Sequence, residues 1–370
     1  MSHALPLLAA ALILASVVPG RADTEAPARH PKENELLVFS DVFQVDGLIP
    51  SMLGPYTTRA VRVRPNAPQE LLWLTGFQME VVDSKGLQPE SYEYECHSNL
   101  AWPRNDPPGV KRPVGQVFTL TQGQVDVRLP PGFGLPSISS EDVVFNSQVL
   151  NLARPDEKKS VRHRARVRYV PDADLTAPMK PLVVTSAYVM ASLGGEAMVY
   201  GVADPDPKRE AASCHAGALP RGAPGAQKDQ LGRPFTGHWV VEPGRHEYRT
   251  LVTDLMNIPY DTTVHFIGVH VHPYSQSLEL RDLTTGESVW KSTQTTHPDR
   301  PSLTNIDYYS SVEGLPIHAG HDYELVSIYD NPTSKATDAM ATMFIYYLDK
   351  EFDKAVLAKA GAAAADTAAP

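Results

Sequence analysis

The sequence predicts an all-β protein of two tandem antiparallel jelly-roll (β-sandwich) domains. Apolar residues recur at alternate positions in short runs, which is the spacing of strands that bury one face. The 33 prolines and 24 glycines divide these runs into short segments, and no long helical period interrupts them. This combination is typical of a sandwich or jelly roll and disfavours an α/β enzyme.

Each predicted strand is an alternating run between turn residues. In order along the chain, the runs cover residues 56–63, 71–82, 117–120, 124–129, 161–170 and 182–190. Residues 278–283 and 288–292 flank a four-residue turn and predict a hairpin. The one helical pattern covers residues 350–359 and leads into an alanine-rich tail, which we expect to be frayed.

The N-terminus predicts export from the cytoplasm. Residues 5–18 are almost continuously apolar but too short to span a bilayer, and small residues precede a cleavage point after Ala22. Residues 1–22 are therefore predicted to be a signal peptide, and the protein is predicted to be secreted or periplasmic. No later apolar run is long enough for a transmembrane segment.

The remaining chain is long enough for two domains of ordinary size. We predict a first domain over residues 35–178, a second over 179–350 and a tail over 351–370. Within the second domain, residues 202–234 are rich in proline, glycine and charge and predict a long loop.

Charge and cysteine content narrow the function. A net charge of −10 disfavours nucleic acid and acidic membrane surfaces as partners, because both require a basic face. Cys96 and Cys214 are the two cysteines, and an oxidising compartment favours a disulfide between them.

The motif with the clearest chemistry is His270-Val271-His272, which lies in a long alternating run. In a strand, residues i and i+2 point to the same face, so both imidazoles can bind one metal ion. Met340 opens another apolar run and offers a thioether from a second strand. Two imidazoles and a thioether suit copper, above all Cu(I), better than zinc, calcium or magnesium.

Around this motif the second half resembles a known family. The segments concerned are residues 266–272 (FIGVHVH), 320–323 (GHDY), 337–340 (TDAM) and 344–347 (FIYY). They are similar to the second domain of the copper type II, ascorbate-dependent monooxygenases, such as the peptidylglycine α-hydroxylating and dopamine β-monooxygenases. The resemblance implies two nine-stranded jelly rolls, each with one copper. It also implies that the copper on His270, His272 and Met340 binds dioxygen, with ascorbate as reductant.

The first half departs from that family pattern. Where the family has a His-His pair, this chain has Cys96-His97, and no histidine occurs near residues 148–151, where a later ligand is expected. The electron-transfer copper is therefore expected to be absent or rebuilt, with His97 as a possible second metal site. Gly268 and Phe344 stand where amidating members hold the substrate carboxylate with Arg and Tyr, so a glycine-extended peptide would meet no cation.

Several alternatives remain open at this stage. We place His265 on the opposite strand face, and we expect His238, His246, His297, His318 and His321 to be solvated, although one of them could orient a ligand imidazole. The Cys-His dipeptides at residues 96–97 and 214–215 allow a zinc-like site, and a cupin is disfavoured because the first carboxylate after His272 is Glu279.

Two functions follow from the predicted site. In the first, the copper and ascorbate hydroxylate a C–H bond of an apolar or neutral small-molecule substrate with dioxygen. In the second, the protein only holds copper outside the cytoplasm, for storage, sensing or delivery to a copper-handling partner.

Overall fold

The computed structural model describes residues 33–65, 68–103, 110, 112–193, 199–200, 226–229 and 232–359. The predicted signal peptide, most of the loop predicted over 202–234 and residues 360–370 lie outside this part of the chain. The described residues form an all-β protein, as predicted. None of their helices is long and apolar enough to cross a membrane.

Ten strands come from the first half of the chain. They are β1 (Asn34–Phe39), β2 (Phe43–Asp46), β3 (Tyr56–Arg62), β4 (Leu71–Asp83), β5 (Glu95–Ala101), β6 (Gln116–Leu120), β7 (Asp126–Arg128), β8 (Phe133–Ile138), β9 (Asp142–Val149) and β10 (Lys158–Pro171). Two single 3₁₀ turns accompany them, Tyr92–Tyr94 and Asp172–Asp174.

The second half contributes the remaining strands of the described chain. They are β11 (Lys180–Tyr188), β12 (Ala191–Ser192), β13 (Ala226–Lys228), β14 (Pro234–Thr236), β15 (Trp239–Val241), β16 (Gly244–Leu251), β17 (Thr262–Val271), β18 (Ser275–Asp282), β19 (Ser288–Thr296), β20 (Leu303–Ile306), β21 (Tyr309–Ile317), β22 (Tyr323–Asn331), β23 (Thr337–Ala339) and β24 (Ala341–Leu348). A short helix, α1 (Thr253–Met256), precedes β17, and residues 354–359 are helical.

Each half packs two sheets around its own apolar core. In the first half, β4, β8 and β10 face the sheet β3-β9-β5-β6, and buried residues such as Phe77, Phe118 and Phe145 fill the space between them. In the second half, β11, β24, β17 and β21 face the sheet β16-β22-β18-β19-β20. Both halves are therefore antiparallel β-sandwiches, because in each the apolar side of one sheet covers the apolar side of the other.

The two halves are joined by a shared sheet and by polar side chains that form hydrogen bonds across their contact. A two-residue parallel pairing of β8 with β11 connects the large sheets of the halves into one ten-stranded sheet. The buried Tyr346 hydroxyl of β24 donates to the Val117 carbonyl of β6 at 2.9 Å. Gln124, from the turn after β6, accepts a hydrogen bond from the Val269 amide of β17 at 3.1 Å. This turn therefore fixes the first half against β17.

Most predicted strands coincide with observed strands, with small shifts at their ends. The run at 124–129 is shorter in the structure, where β7 covers only Asp126–Arg128. The segment over residues 202–234, predicted to be a long loop or insertion, lies mostly outside the described residues, and near its end Ala226–Lys228 pairs with Pro234–Thr236. The helix predicted at 350–359 begins later, at residue 354.

A fully buried carboxyl group lies in the first core. Glu95 of β5 places Oε2 at 3.1 Å from Nδ1 of His163 on β10, and both side chains have no solvent exposure. Burial raises the pKa of Glu95 well above its ordinary value and lowers the pKa of His163 to about 3. Both shifts favour the uncharged form of each side chain.

This pair predicts a specific pH dependence of stability. Above pH 4.5 the unfolded chain releases the Glu95 proton, whereas the folded protein keeps it, so folding loses stability as pH rises toward the folded pKa. Glu95→Gln removes this loss, so its free energy of unfolding should rise relative to wild type between pH 4.5 and 7. Urea unfolding at several pH values measures the difference. Glu287→Gln, at an exposed residue, should show no such trend. If the stability of Glu95→Gln changes with pH in parallel with that of wild type, Glu95 does not have a raised pKa in the folded protein.

Candidate metal centre

The side chains of β17 and β24 alternate between two environments. The register pairs Ile267 with Ile345 and Val269 with Met343, and all four side chains lie in the core of the second half. The intervening residues point the other way, toward the first half of the chain. We call this second side the interface face; its paired members are Phe266 with Tyr346, Gly268 with Phe344 and His270 with Thr342.

The predicted His-x-His lies on the interface face. His270 is 7% exposed and His272 is 5% exposed, and their ring centres are 5.5 Å apart. Two imidazoles that each bind one ion at about 2 Å have ring centres about 5 Å apart. Nδ1 of His270 is buried and has no hydrogen-bond partner among the described residues, whereas Nδ1 of His272 lies 2.8 Å from Asp338 Oδ2. Buried ring nitrogens normally have partners, so the pair is arranged as metal ligands would be.

Met340 lies at the junction of two short pairings. Val271 of β17 pairs with Ala341, and Trp239 of β15 pairs with Ala339. If each pairing is continued by one residue, His272 and His238 lie opposite Met340, one on each side of it. Strand alternation, continued one residue before β24, predicts that Met340 lies on the interface face with both histidines.

A buried tyrosine fixes this junction. The Tyr329 hydroxyl accepts a hydrogen bond from the His272 amide at 3.1 Å and donates to the Met340 carbonyl at 2.5 Å. One hydroxyl group therefore satisfies the backbone on both sides of the predicted metal site, and it holds the ends of β17 and β24 in register.

His238 and Asp338 also lie at the site, and the sequence predicts neither of them as a ligand. Asp338 Oδ2 lies 3.2 Å from Nε2 of His238 and 2.8 Å from Nδ1 of His272. Burial alone would raise the pKa of Asp338, but its contacts with the imidazoles of His238 and His272 lower it well below its ordinary value. Asp338 is therefore a carboxylate beside two imidazoles.

The first half contributes His97. Its ring centre lies 6.2 Å from that of His270, across the contact between the two halves. Burial, followed by repulsion from His272, lowers the pKa of His97 to about 4. Burial and three neighbouring imidazoles lower the pKa of His270 well below its ordinary value. We call His97, His238, His270 and His272 the histidine cluster.

Cys96 lies next to this cluster, is buried and has no disulfide partner among the described residues. Ser51 Oγ is 3.9 Å from its sulfur and 3.5 Å from Nε2 of His272. Burial raises the pKa of the thiol to about 11. Cys214 and His215 lie outside the described residues, so the predicted disulfide and the zinc-like alternative stay predictions.

The other histidines separate into two groups. His265 was placed away from the site, and both its ring nitrogens have partners, the Thr263 hydroxyl at 2.8 Å and the Ser311 carbonyl at 3.0 Å. His318 and His321 lie together at ring centres 4.6 Å apart and contact the carboxylates of Asp261 and Asp282. Among the described residues, only the group of His238, His272 and Asp338 brings three carboxylate, imidazole or thiol ligand atoms within 4.8 Å of one another.

His238, which we expected to be solvated, is 26% exposed, and its ring also contacts the Asp338 carboxylate and the His272 ring. Its position depends on the pairing of β15 with β23, two three-residue strands separated by about a hundred residues. The position of Asp338 could have been predicted from the sequence. It lies two residues before Met340 in an extended run, so both side chains point to the same face.

Comparisons with known proteins add little. The chain matches no protein-family profile and no curated protein. Among solved structures it is similar to the major capsid protein P2 of bacteriophage PM2, with 7% identity, a TM-score of 0.33 and coverage of 86% of this chain and 100% of that chain. It is also similar to PNGase F, a glycosylasparaginase from Flavobacterium meningosepticum, with 7% identity, a TM-score of 0.34 and coverage of 85% and 96%. Likeness at this level supports no inference about function.

The junction at Tyr329 gives a prediction about stability. Tyr329→Phe removes the hydroxyl but keeps the ring, which leaves the His272 amide and the Met340 carbonyl without their partner. The free energy of unfolding should fall by about 1–3 kcal/mol, the usual cost of unsatisfied buried polar groups. Urea denaturation of the metal-free protein measures this loss. Tyr56→Phe, at a residue 72% exposed, should have no effect, and equal stability of the two variants would argue against the junction.

Proposed function

We propose that this is a copper-binding protein that works outside the cytoplasm, with the ion on His270, His272 and Met340. The observation that carries the proposal is His270 Nδ1, a buried imidazole nitrogen with no hydrogen-bond partner among the described residues, in a ring 5.5 Å from that of His272. A buried imidazole nitrogen without a partner has lost the hydrogen bond that it makes with water. A bound metal ion would compensate for this loss.

The donor types favour copper over other ions. Both imidazoles are held in buried surroundings, where the neutral form that binds metals is stable for His270. The thioether of Met340 is a soft donor that suits Cu(I), whereas calcium and magnesium select oxygen. The predicted signal peptide and the acidic net charge agree with a role in an exported compartment.

Hydroxylation of a C–H bond is the second candidate. Copper would supply dioxygen binding and one-electron chemistry. Ascorbate would provide two electrons, and with two protons one oxygen atom enters the product while the other leaves as water. The specific observation that favours this candidate is His97, a first-half imidazole beside His270 that a three-donor storage site does not require.

The interface face also suggests what such a substrate would be. Gly268 lies directly opposite Phe344, and a Cβ added to Gly268 would be within contact distance of Phe266 and Gln124. These neighbours are apolar or neutral. The absence of a cation at Gly268 and Phe344 favours an uncharged small molecule over an anionic peptide terminus as the substrate.

Copper stoichiometry tests the binding proposal. Wild-type protein loaded with Cu(I) and then desalted should retain copper, whereas His270→Ala and Met340→Leu should each weaken binding on the order of 10–100-fold or more. Elemental analysis and competition with a Cu(I) chelator measure this change. Met343→Leu in the second core and His246→Ala at the surface are matched controls. Undiminished copper affinity in both site variants would refute the ligand assignment.

Oxygen consumption separates the two functions. The copper-loaded enzyme should consume dioxygen with ascorbate only if the hydroxylation candidate is correct, and His97→Ala should then lower the rate while copper remains bound. An oxygen electrode with the His270→Ala protein as background measures the rate. If copper-loaded wild type consumes oxygen no faster than this background, the remaining function is copper storage, sensing or delivery.

A further inference from the structure

A second group of ligand atoms lies on the other side of the His272 ring. It consists of Nδ1 of His272, Nε2 of His238 and Oδ2 of Asp338, with the carboxylate oxygen 2.8 Å from the first nitrogen and 3.2 Å from the second. Bonds of about 2.1 Å to one ion would place neighbouring donors about 3.0–3.4 Å apart. The observed separations are close to that range.

The hydrogen-bond geometry also points to an ion. His272 Nδ1 is only 2.8 Å from Asp338 Oδ2, yet the ring is not aligned to donate along that line, and Nδ1 remains without a directed partner. His272 is 5% exposed, so this nitrogen is buried. A buried imidazole nitrogen and a carboxylate oxygen at this distance, without a hydrogen bond of ordinary geometry between them, are placed to bind one cation together.

We infer that His238, His272 and Asp338 form a second metal site, for a divalent ion of borderline character such as Zn²⁺, Co²⁺ or Fe²⁺. Two imidazoles and one carboxylate contain no soft donor, so this set prefers different ions from the copper set. The side chains of His238 and Asp338 are 26% and 33% exposed, which leaves room for water or another ligand on the ion. When both sites are filled, His272 bridges them, and its ring proton is released to solvent.

The inference goes beyond copper binding and can be tested separately. His270→Ala/Met340→Leu removes two of the three copper donors and keeps the second set intact. Metal-free protein of this background is titrated with Co²⁺, whose visible absorption reports ligand binding. A single Co²⁺ should bind per chain, and adding His238→Ala or Asp338→Asn should weaken it on the order of 100-fold. His246→Ala in the same background is the control.

Each result decides the inference. Failure of the background protein to bind Co²⁺, or equal binding after His238→Ala and Asp338→Asn, would overturn it. Circular dichroism of each variant checks that the fold is retained, and Asp338→Asn keeps the size and shape of the side chain. In the otherwise native chain, Asp338→Asn should still bind Cu(I). If the native chain fails to bind Cu(I) while the double variant still binds Co²⁺, only the copper proposal is refuted. If the native chain binds Cu(I) while the double variant fails to bind Co²⁺, only this inference is refuted.

Discussion

Strand β17 lies between two packing environments, and this constraint determines the position of the candidate site. Val269 and Val271 complete the core of the second half, so the strand cannot rotate or slip by one residue without exposing them. The same alternation therefore fixes His270 on the interface face, where it meets His97 from the first half. Apolar burial on one side of the strand thus holds the imidazoles in place on the other side.

Polar contacts between the halves complete this arrangement. Gln124 accepts from the Val269 amide, and Tyr329 joins the backbones of His272 and Met340. Buried hydrogen bonds of this kind are costly to break, because each would leave an unpaired group away from water. Within the candidate metal centre, His270 lies in β17, and His238, His272 and Met340 directly flank strand ends, which favours a ligand set that is formed before the ion binds.

The sequence predicted what depends on local periodicity. Alternation alone placed His270 and His272 on one face and located β24 at Ala341–Leu348, with Met340 directly before it. The contribution of His238 could not be predicted, because it depends on a three-residue pairing distant in the chain. His97 was named as a possible second site, but its place beside His270 results from how the halves pack, which no short-range pattern encodes. The family resemblance, the domain bounds and the export signal stay predictions.

The central claim is that buried imidazoles and the Met340 thioether bind copper. X-ray absorption spectroscopy of the Cu(I)-loaded protein at the copper edge tests it most directly, because it identifies the ligand atoms without relying on activity. The account predicts imidazole nitrogens at about 2.0 Å together with one sulfur atom, and loss of the sulfur signal in Met340→Leu. A spectrum with no imidazole scattering, or a sulfur signal that persists in Met340→Leu, would contradict the account.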